Sequence, residues 1–212
     1  MATTAFTAWL PEVLPNVPTC PDVLAVNAIR NACIEFCSET NWWQGDYGTT
    51  AITAADLPYS FTIANSATVA QIMVASIDGL PLAISSTEDL DSKVVGWRTA
   101  TGQPRAVFQP TPGIVDFYPR PEGVESYDIF MRLAYMPLRA ATTVDSAVYE
   151  IYLEEIAAGA LARLLAMPVA PWANPQASAM YDNVFKSAKV QANIEASRSY
   201  GRAARRVQFI TM

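Results

Sequence analysis

The segment between residues 48 and 136 constrains the fold most, because prolines and glycines divide it into runs too short for ordinary helices. Many runs are β-branched or alternate between apolar and polar residues, which is typical of strands. Asp78-Gly79 predicts a hairpin, since both residues tolerate the positive φ of a type I′ turn. The six predicted strands span residues 59–64, 69–77, 80–84, 105–109, 114–118 and 127–136. Their number and spacing predict a small antiparallel sandwich or barrel.

Three other segments have apolar residues at the spacing of amphipathic helices, and the first follows Pro21. Asp22 favours a helix start, because its carboxylate can accept hydrogen bonds from free backbone amides. This helix is expected to end near Thr40, before a turn at Gly45. Its predicted apolar stripe consists of Val23, Val26, Ile29, Cys33, Phe36 and Cys37. Residues 1–21 contain four prolines, which predict an extended arm without helix.

Two further helices are predicted in the last third of the chain. One begins at Asp145 and stops at Pro168, and the other begins at Pro175, where Asn174 can cap the free amides. Gly201 is expected to end the third helix, because glycine readily adopts the left-handed conformation after a last turn. The residues at helical spacing are Val148, Ile151, Tyr152, Ile156, Gly159, Leu161 and Leu164 or Leu165 in the second helix, and Met180, Val184, Ala188, Gln191 and Ile194 in the third.

The predicted fold class is therefore α+β: a three-helix bundle with a small antiparallel β-domain inserted between the first and second helices. Residues 1–21 are predicted to form an extended N-terminal arm, and residues 22–47 with 138–200 the helical domain. Residues 48–137 are predicted to form the inserted β-domain, and residues 201–212 an extended C-terminal arm.

Composition limits the chemistry that the chain can perform. Its 212 residues include no histidine, which removes Ser-His-Asp and Cys-His catalysis and histidine metal ligation. Only 16% of the residues are charged, against about 25% in typical domains, so we expect neighbouring subunits to cover part of the surface. Residues 186–212 carry a net charge of +5 within a total of −6, which leaves −11 on the remainder. Such an acidic body argues against a general nucleic-acid binder.

The three cysteines are the first candidate metal ligands. Cys33 and Cys37 lie four residues apart on one predicted helical face, and Cys20 precedes that helix. Without histidine, a zinc site would need carboxylates or a second chain, so packing in the core is the favoured interpretation.

Two acidic groups also fail to predict a site. Glu150, Glu154 and Glu155 occupy the polar side of a predicted helix, which favours a solvated or interface face over acid–base chemistry. The run that contains Glu88 and Asp91 lacks the glycine and the terminal glutamate of a calcium-binding loop. No catalytic, cofactor or metal residue is therefore predicted, and we do not expect an enzyme.

The aromatic residues Trp42, Trp43, Trp97, Trp172 and Tyr118 could stack on nucleic-acid bases. Base-stacking platforms need basic neighbours, and the central segment is acidic, so core or interface anchoring is preferred. The apolar stretch 156–167 is too short for the roughly 20 residues of a membrane helix. The N-terminus lacks the basic region of a secretory signal, so a soluble, reduced, intracellular chain is expected.

The basic C-terminal segment leaves three interpretations open. Its arginines could contact nucleic-acid phosphates, or they could pair with carboxylates on an acidic protein surface. The segment could also be a frayed, solvated terminus. Its apolar end favours a segment that folds on docking. The residues concerned are Arg198, Arg202, Arg205, Arg206, Val207, Phe209 and Ile210.

An ordered set of phrases along most of the chain resembles the head-to-tail connector, or adaptor, proteins of tailed bacteriophages. The most specific phrase runs from Tyr152 through Arg163 to Leu164, and Pro171 to Asn174 follow it. Other matching phrases are Trp9-Leu10-Pro11, Cys20-Pro21, Ala28-Ile29-Arg30-Asn31-Ala32-Cys33, Asp78-Gly79-Leu80-Pro81, Gly96-Trp97-Arg98, Gly102-Gln103-Pro104 and Tyr118-Pro119-Arg120-Pro121.

The resemblance implies a structural virion protein at the head–tail junction, assembled in the host cytoplasm. Such adaptors form a ring, often a dodecamer, under the portal, where they extend the DNA channel and provide the platform for tail proteins. It also implies that the seven C-terminal residues named above dock on the portal, without cofactor, metal or membrane. A DNA-binding packaging or accessory protein that acts through the basic tail is the alternative.

Overall fold

A computed structural model describes residues 2–52, 57–61, 63, 66–111, 113–122 and 127–198 of the chain. Within these residues the protein combines five α-helices with three β-sheets, so the predicted α+β class is confirmed. The helices are α1 (Leu10–Val13), α2 (Asp22–Thr40), α3 (Thr87–Lys93), α4 (Ser146–Leu165) and α5 (Pro175–Arg198). The strands are β1 (Thr3–Ala5), β2 (Gln44–Ile52), β3 (Tyr59–Ser60), β4 (Ala67–Ile77), β5 (Leu80–Pro81), β6 (Ala83–Ile84), β7 (Ala106–Thr111), β8 (Ile114–Tyr118), β9 (Tyr127–Pro137) and β10 (Thr143–Asp145).

Most of the central segment folds into two four-stranded sheets, which run in the orders β2-β9-β4-β5 and β3-β8-β7-β6. All of the pairings are antiparallel except β6 with β7. The two sheets share buried side chains, and the hydroxyls of Tyr47 and Tyr59 hydrogen-bond at 2.6 Å between them. The sheets therefore pack as a small sandwich, which we call the β-sandwich.

Each of the six predicted runs contains a strand. The hairpin is also confirmed, because Asp78 and Gly79 both have positive φ between β4 and β5. Residues 80–84, predicted as one strand, instead supply β5 to one sheet and β6 to the other.

The turn expected at Gly45 is wrong, because this glycine lies within β2, where it pairs with Leu133 of β9. A Cβ at this position would lie 2.7 Å from Cε2 of Tyr135. Gly45 therefore serves the close approach of the Tyr135 ring rather than a chain reversal.

The predicted extended arm at residues 1–21 is also wrong. After β1 the chain forms a 3₁₀ turn at Phe6–Trp9, then α1, then a second 3₁₀ turn at Leu14–Asn16. Pro11 and Pro15 occupy first-turn positions, where the missing N–H is not needed by the helix. The segment packs into the core, since Trp9 is fully buried and stands edge-on to Tyr149 at 4.7 Å.

The helix α2 has the predicted length, but its first turn faces differently. Val23 is 75% exposed, whereas Ala25, Ala28 and Ala32 join the buried face. Pro21 occupies the N-cap position and no side chain caps the amides there. The helix ends as expected at Thr40, because Asn41 adopts a left-handed conformation.

The helices α2, α4 and α5 contact one another, and β9 packs against α2. Asn174 caps α5, as predicted from the sequence. Asp145, where the second helix was expected to begin, accepts a hydrogen bond from the Ala147 amide and caps α4. The buried side chains form one continuous cluster that includes the N-terminal segment, these helices and both sheets of the β-sandwich. Among the described helices, none combines the length and hydropathy that crossing a membrane requires.

Candidate assembly surface

The helix α5 is fastened to two other helices by a cluster of charged side chains. Lys189 of α5 places its ammonium 2.5 Å from Oε1 of Glu35 and 2.8 Å from Oε2 of Glu39, both on α2. Arg163 of α4 pairs with the second oxygen of Glu35. The Lys189 side chain is only 12% exposed, so its carboxylate partners stabilise an ammonium group that is largely shielded from water. This cluster fixes α5 relative to both α2 and α4.

The same contacts set the protonation of the cluster. Burial alone would raise the pKa of the Glu35 carboxyl, but the hydrogen bond from Lys189 and the charge of Arg163 hold this pKa below its usual value. Burial would likewise lower the pKa of Lys189, but its two carboxylate partners raise it above its usual value. Both groups are therefore charged at neutral pH.

Close packing fixes the middle of α5. A Cβ added to Gly159 of α4 would lie 2.8 Å from two ring carbons of Phe185, so only glycine leaves room for this ring. Phe185 is buried there and also lies 6.3 Å from the ring of Phe36 on α2. This glycine, one of the residues at helical spacing in the predicted second helix, thus forms the socket for α5.

The far end of α5 is held by Tyr152, where the backbone of α4 leaves helical geometry (φ −120°, ψ 32°). The Tyr152 hydroxyl donates a 2.8 Å hydrogen bond to Oε2 of Glu195 on α5. The Tyr152 ring also stands edge-on to Trp42, with 5.0 Å between the centroids. These contacts secure the last turns of α5, from which the C-terminal segment continues.

The residues whose helical spacing predicted α5 do not form its buried face. Met180 and Val184 are 58% and 48% exposed, and Ile194 is exposed as well. The buried face instead presents Phe185 and Ala192. Apolar residues recur at helical spacing on both faces of α5. The fit of Phe185 against Gly159 determines which face is buried. The structure therefore leaves an apolar face of α5 exposed, consisting of Met180, Val184, Val190 and Ile194.

The predicted docking residues lie at and beyond the end of α5. Arg198 is the last residue of this helix. The remaining six (Arg202, Arg205, Arg206, Val207, Phe209 and Ile210) lie outside the described residues. The charged cluster that fixes α5 was missed by sequence reasoning. Its members are 128 and 154 residues apart in the chain, so no local pattern could reveal it.

The aromatic residues considered for base stacking are distributed over the molecule and engaged in packing. Trp43 is buried against Tyr135, with 5.7 Å between the ring centroids. Trp97 stands edge-on to Phe108, and Trp172 donates its indole N–H to the carbonyl of Leu164. Core anchoring is the interpretation that these contacts support.

The cysteines are free thiols in the core, as favoured from the sequence. A hydrogen bond with Cys37 and burial raise the pKa of the Cys33 thiol well above its usual value. This disfavours the thiolate, which is the form that binds metals. Within the described parts of the chain, no group of three or more cysteine and carboxylate residues is arranged to hold a metal.

The acidic residues considered for chemistry lie in solvated or locally paired positions. Glu150 and Glu154 are exposed on α4. On α3, Asp89 pairs with Lys93 at 2.6 Å, and Asp91 pairs with Arg98 at 2.6 Å. These short-range pairs engage two of the carboxylates in the acidic run.

Comparison with known families decides the class of the protein. The model of the SU10 adaptor protein family matches residues 3–207. The chain belongs to the SU10 adaptor protein family. The adaptor is therefore a structural protein of a bacteriophage, a component of the virion that contacts other head or tail proteins. No curated protein matches the adaptor. Adaptors of this kind are typically not enzymes, which agrees with the expectation from composition.

Proposed function

We propose that this adaptor forms a ring under the portal of the filled head, extends the DNA channel and provides the platform on which the tail assembles. The observation that carries the proposal is the family match over residues 3–207. We propose that the ring contains twelve subunits. It would be assembled in the host cytoplasm and lie at the head–tail junction of the virion.

Two features of the subunit support a ring. Charged residues are scarce, at 16% of the chain, as expected when neighbouring copies cover much of the surface. The exposed apolar face of α5 is a surface of the kind that subunit contacts cover. In this proposal α2, α4 and α5 act as a bundle, and the β-domain (residues 48–137) is the module directed outward or toward the tail.

The charge distribution supports a channel and a docking arm. The body carries −11, so phosphates passing through a ring of such subunits meet repulsion rather than adhesion. The C-terminal arm (residues 201–212) is basic with an apolar end, which suits an acidic, partly apolar protein surface on the portal. The fastened helix α5 gives this arm a rigid base.

The test mixes purified adaptor with purified portal rings and measures the mass of the complex by light scattering. The intact adaptor should bind as a ring, and deletion of residues 201–212 should abolish binding. A second variant, with Arg202, Arg205 and Arg206 replaced by glutamine, keeps the length of the arm and should weaken binding strongly. Lys93→Gln, which removes one exposed charge from α3, is the matched control and should bind normally.

Normal binding by the deletion variant would refute the docking role of the arm. Duplex DNA added to the same samples addresses the alternative function. A salt-sensitive gel shift of the intact adaptor, lost on deletion of the arm, would favour a DNA-binding accessory protein instead.

A further inference from the structure

A cleft of about 620 Å³ lies where the last turns of α5 approach the start of α4 and the edge of the β-sandwich. Its size lies within the roughly 300–1,000 Å³ typical of binding clefts. Glu195 and Ala196 of α5 line one side, only two residues before the helix reaches Arg198. The described part of α5 therefore ends close to this cleft.

The cleft has the chemistry to receive arginine and aromatic side chains. Three carboxylates line it (Asp46, Asp145 and Glu195) against the single guanidinium of Arg132. Asp46 and Arg132 pair at 2.8 Å, which leaves a net negative lining. These carboxylates already accept hydrogen bonds, but an ionised carboxylate has about four acceptor positions and can accept more.

Two tryptophans complete the lining. Trp42 is half-buried and offers aromatic surface, on which a guanidinium or a phenyl ring can pack. Trp43 is 5% exposed, and within the described structure its buried indole N–H has no hydrogen-bond partner. Such an unsatisfied donor costs free energy, so a small shift of the lining that brings this N–H to an acceptor of a bound segment would be favourable.

The chain itself contains a segment with the complementary composition. Residues 199–212 carry three arginines and Phe209, with no acidic residue. Arg202 lies four residues beyond the end of α5, and an extended chain spans about 3.3–3.6 Å per residue, so the segment can fold back onto the cleft. Gly201 allows the sharp reversal that this path needs.

We infer that this cleft is the docking site for the adaptor's own C-terminal segment, residues 199–212, within the same subunit. Because the segment is tethered at the rim, its effective concentration is in the millimolar range and weak contacts suffice to hold it. The free subunit therefore holds its basic arm against an acidic cleft, and any other partner of the arm must displace it. This inference does not depend on which partner the arm finally binds.

The test treats the full-length adaptor with chymotrypsin, which can cleave after Phe209. Mass spectrometry of the undigested protein follows the loss of the residues beyond Phe209 over time. A docked segment is cut only while it is released, so the cleavage rate reports the released fraction. The cleft variant Asp46→Asn with Glu195→Gln should be cut about tenfold faster than wild type, since two charged acceptors are lost. The control variant Asp89→Asn with Asp182→Asn removes two carboxylates distant from the cleft lining and should be cut at the wild-type rate.

A variant within the arm tests whether faster cleavage could instead result from misfolding of the rest of the subunit. Arg205→Gln with Arg206→Gln leaves every described residue unchanged and should also accelerate cleavage, as should a rise in salt concentration. Protection that is independent of protein concentration supports docking within one subunit. Protection that appears only as copies associate would assign the cleft to a neighbour's arm and overturn the inference. Equal cleavage of all variants would overturn it as well.

Discussion

Glu35 shows how one side chain can position a helix. Each of its carboxylate oxygens has its own cation, Lys189 from α5 and Arg163 from α4. The arrangement is partly buried, with the Glu35 side chain 32% exposed, so solvent screens it less than an exposed pair. Replacing the carboxylate would leave the nearly buried Lys189 with Glu39 alone.

We predict that Glu35→Gln lowers the free energy of unfolding at pH 7 by about 1–2 kcal/mol, between the values for exposed and buried ion pairs. Because the pKa of Glu35 is lowered in the folded state, its contribution is complete above the usual glutamate pKa. This contribution is lost as pH falls through the lower folded-state pKa. Urea unfolding of wild type and variant at pH 7 and pH 3 should therefore show a difference that shrinks in acid.

The control for this prediction is Glu150→Gln, which removes an exposed carboxylate from α4. It should change the unfolding free energy by less than about 0.5 kcal/mol. A Glu35→Gln effect of the same size at both pH values would show that the loss is steric rather than electrostatic.

At the scale of elements, α5 shows what periodicity can and cannot decide. The helix, its start at Pro175 and its Asn174 cap were predictable from spacing and from capping chemistry. The buried face was not, because two faces of α5 carry apolar residues at helical spacing. The choice depends on a socket at Gly159, which belongs to another helix. A contact between distant segments leaves no signal within α5 itself.

Truncation of neighbouring residues on the two faces of α5 should lower the free energy of unfolding by very different amounts. Phe185→Ala should lower the free energy of unfolding by about 3–5 kcal/mol, because it empties the socket between the helices. Val184→Ala, one residue earlier on the exposed face, should cost less than about 0.5 kcal/mol in the isolated subunit. Denaturant unfolding of both variants measures this contrast, and a larger cost for Val184→Ala would reverse our assignment of the faces.

Strands were predicted correctly where local residue types determine the structure. The prediction failed where contacts with distant residues determine it. The β-branched runs and the Asp78-Gly79 hairpin are local signals, and the structure contains strands at each of them. Gly45 signals a turn locally, yet it lies in β2, where the Tyr135 ring occupies the space that a side chain would need. The docking role predicted for the arm rests on family resemblance, since basic and apolar composition alone fits several partners.

At the scale of the whole molecule, the N-terminal segment is part of the core. Trp9 is fully buried, and β1 pairs with β10 immediately before α4. Two of the prolines that suggested an arm, Pro11 and Pro15, sit at helix starts, where they cost no hydrogen bond. Burial of the aromatic side chains outweighs the extended preference of the surrounding prolines.

We predict that Trp9→Ala lowers the free energy of global unfolding by about 3–5 kcal/mol, with a single cooperative transition. The reason is that Trp9 belongs to the same buried cluster as the long helices and both sheets. Val23→Ala, an exposed truncation on α2, serves as the control. An early, separate transition with an unchanged main midpoint in circular dichroism would show that the segment is an independent arm.

The continuous core also has a mechanical consequence. Interiors packed at the density of organic crystals are nearly incompressible, so they transmit strain instead of absorbing it. A push on the C-terminal end of α5 is therefore carried through packed side chains into the β-sandwich. Each subunit should therefore move as a rigid body. If the proposed ring widens or narrows, neighbouring subunits must slide past one another, because bending within a subunit would disrupt its core.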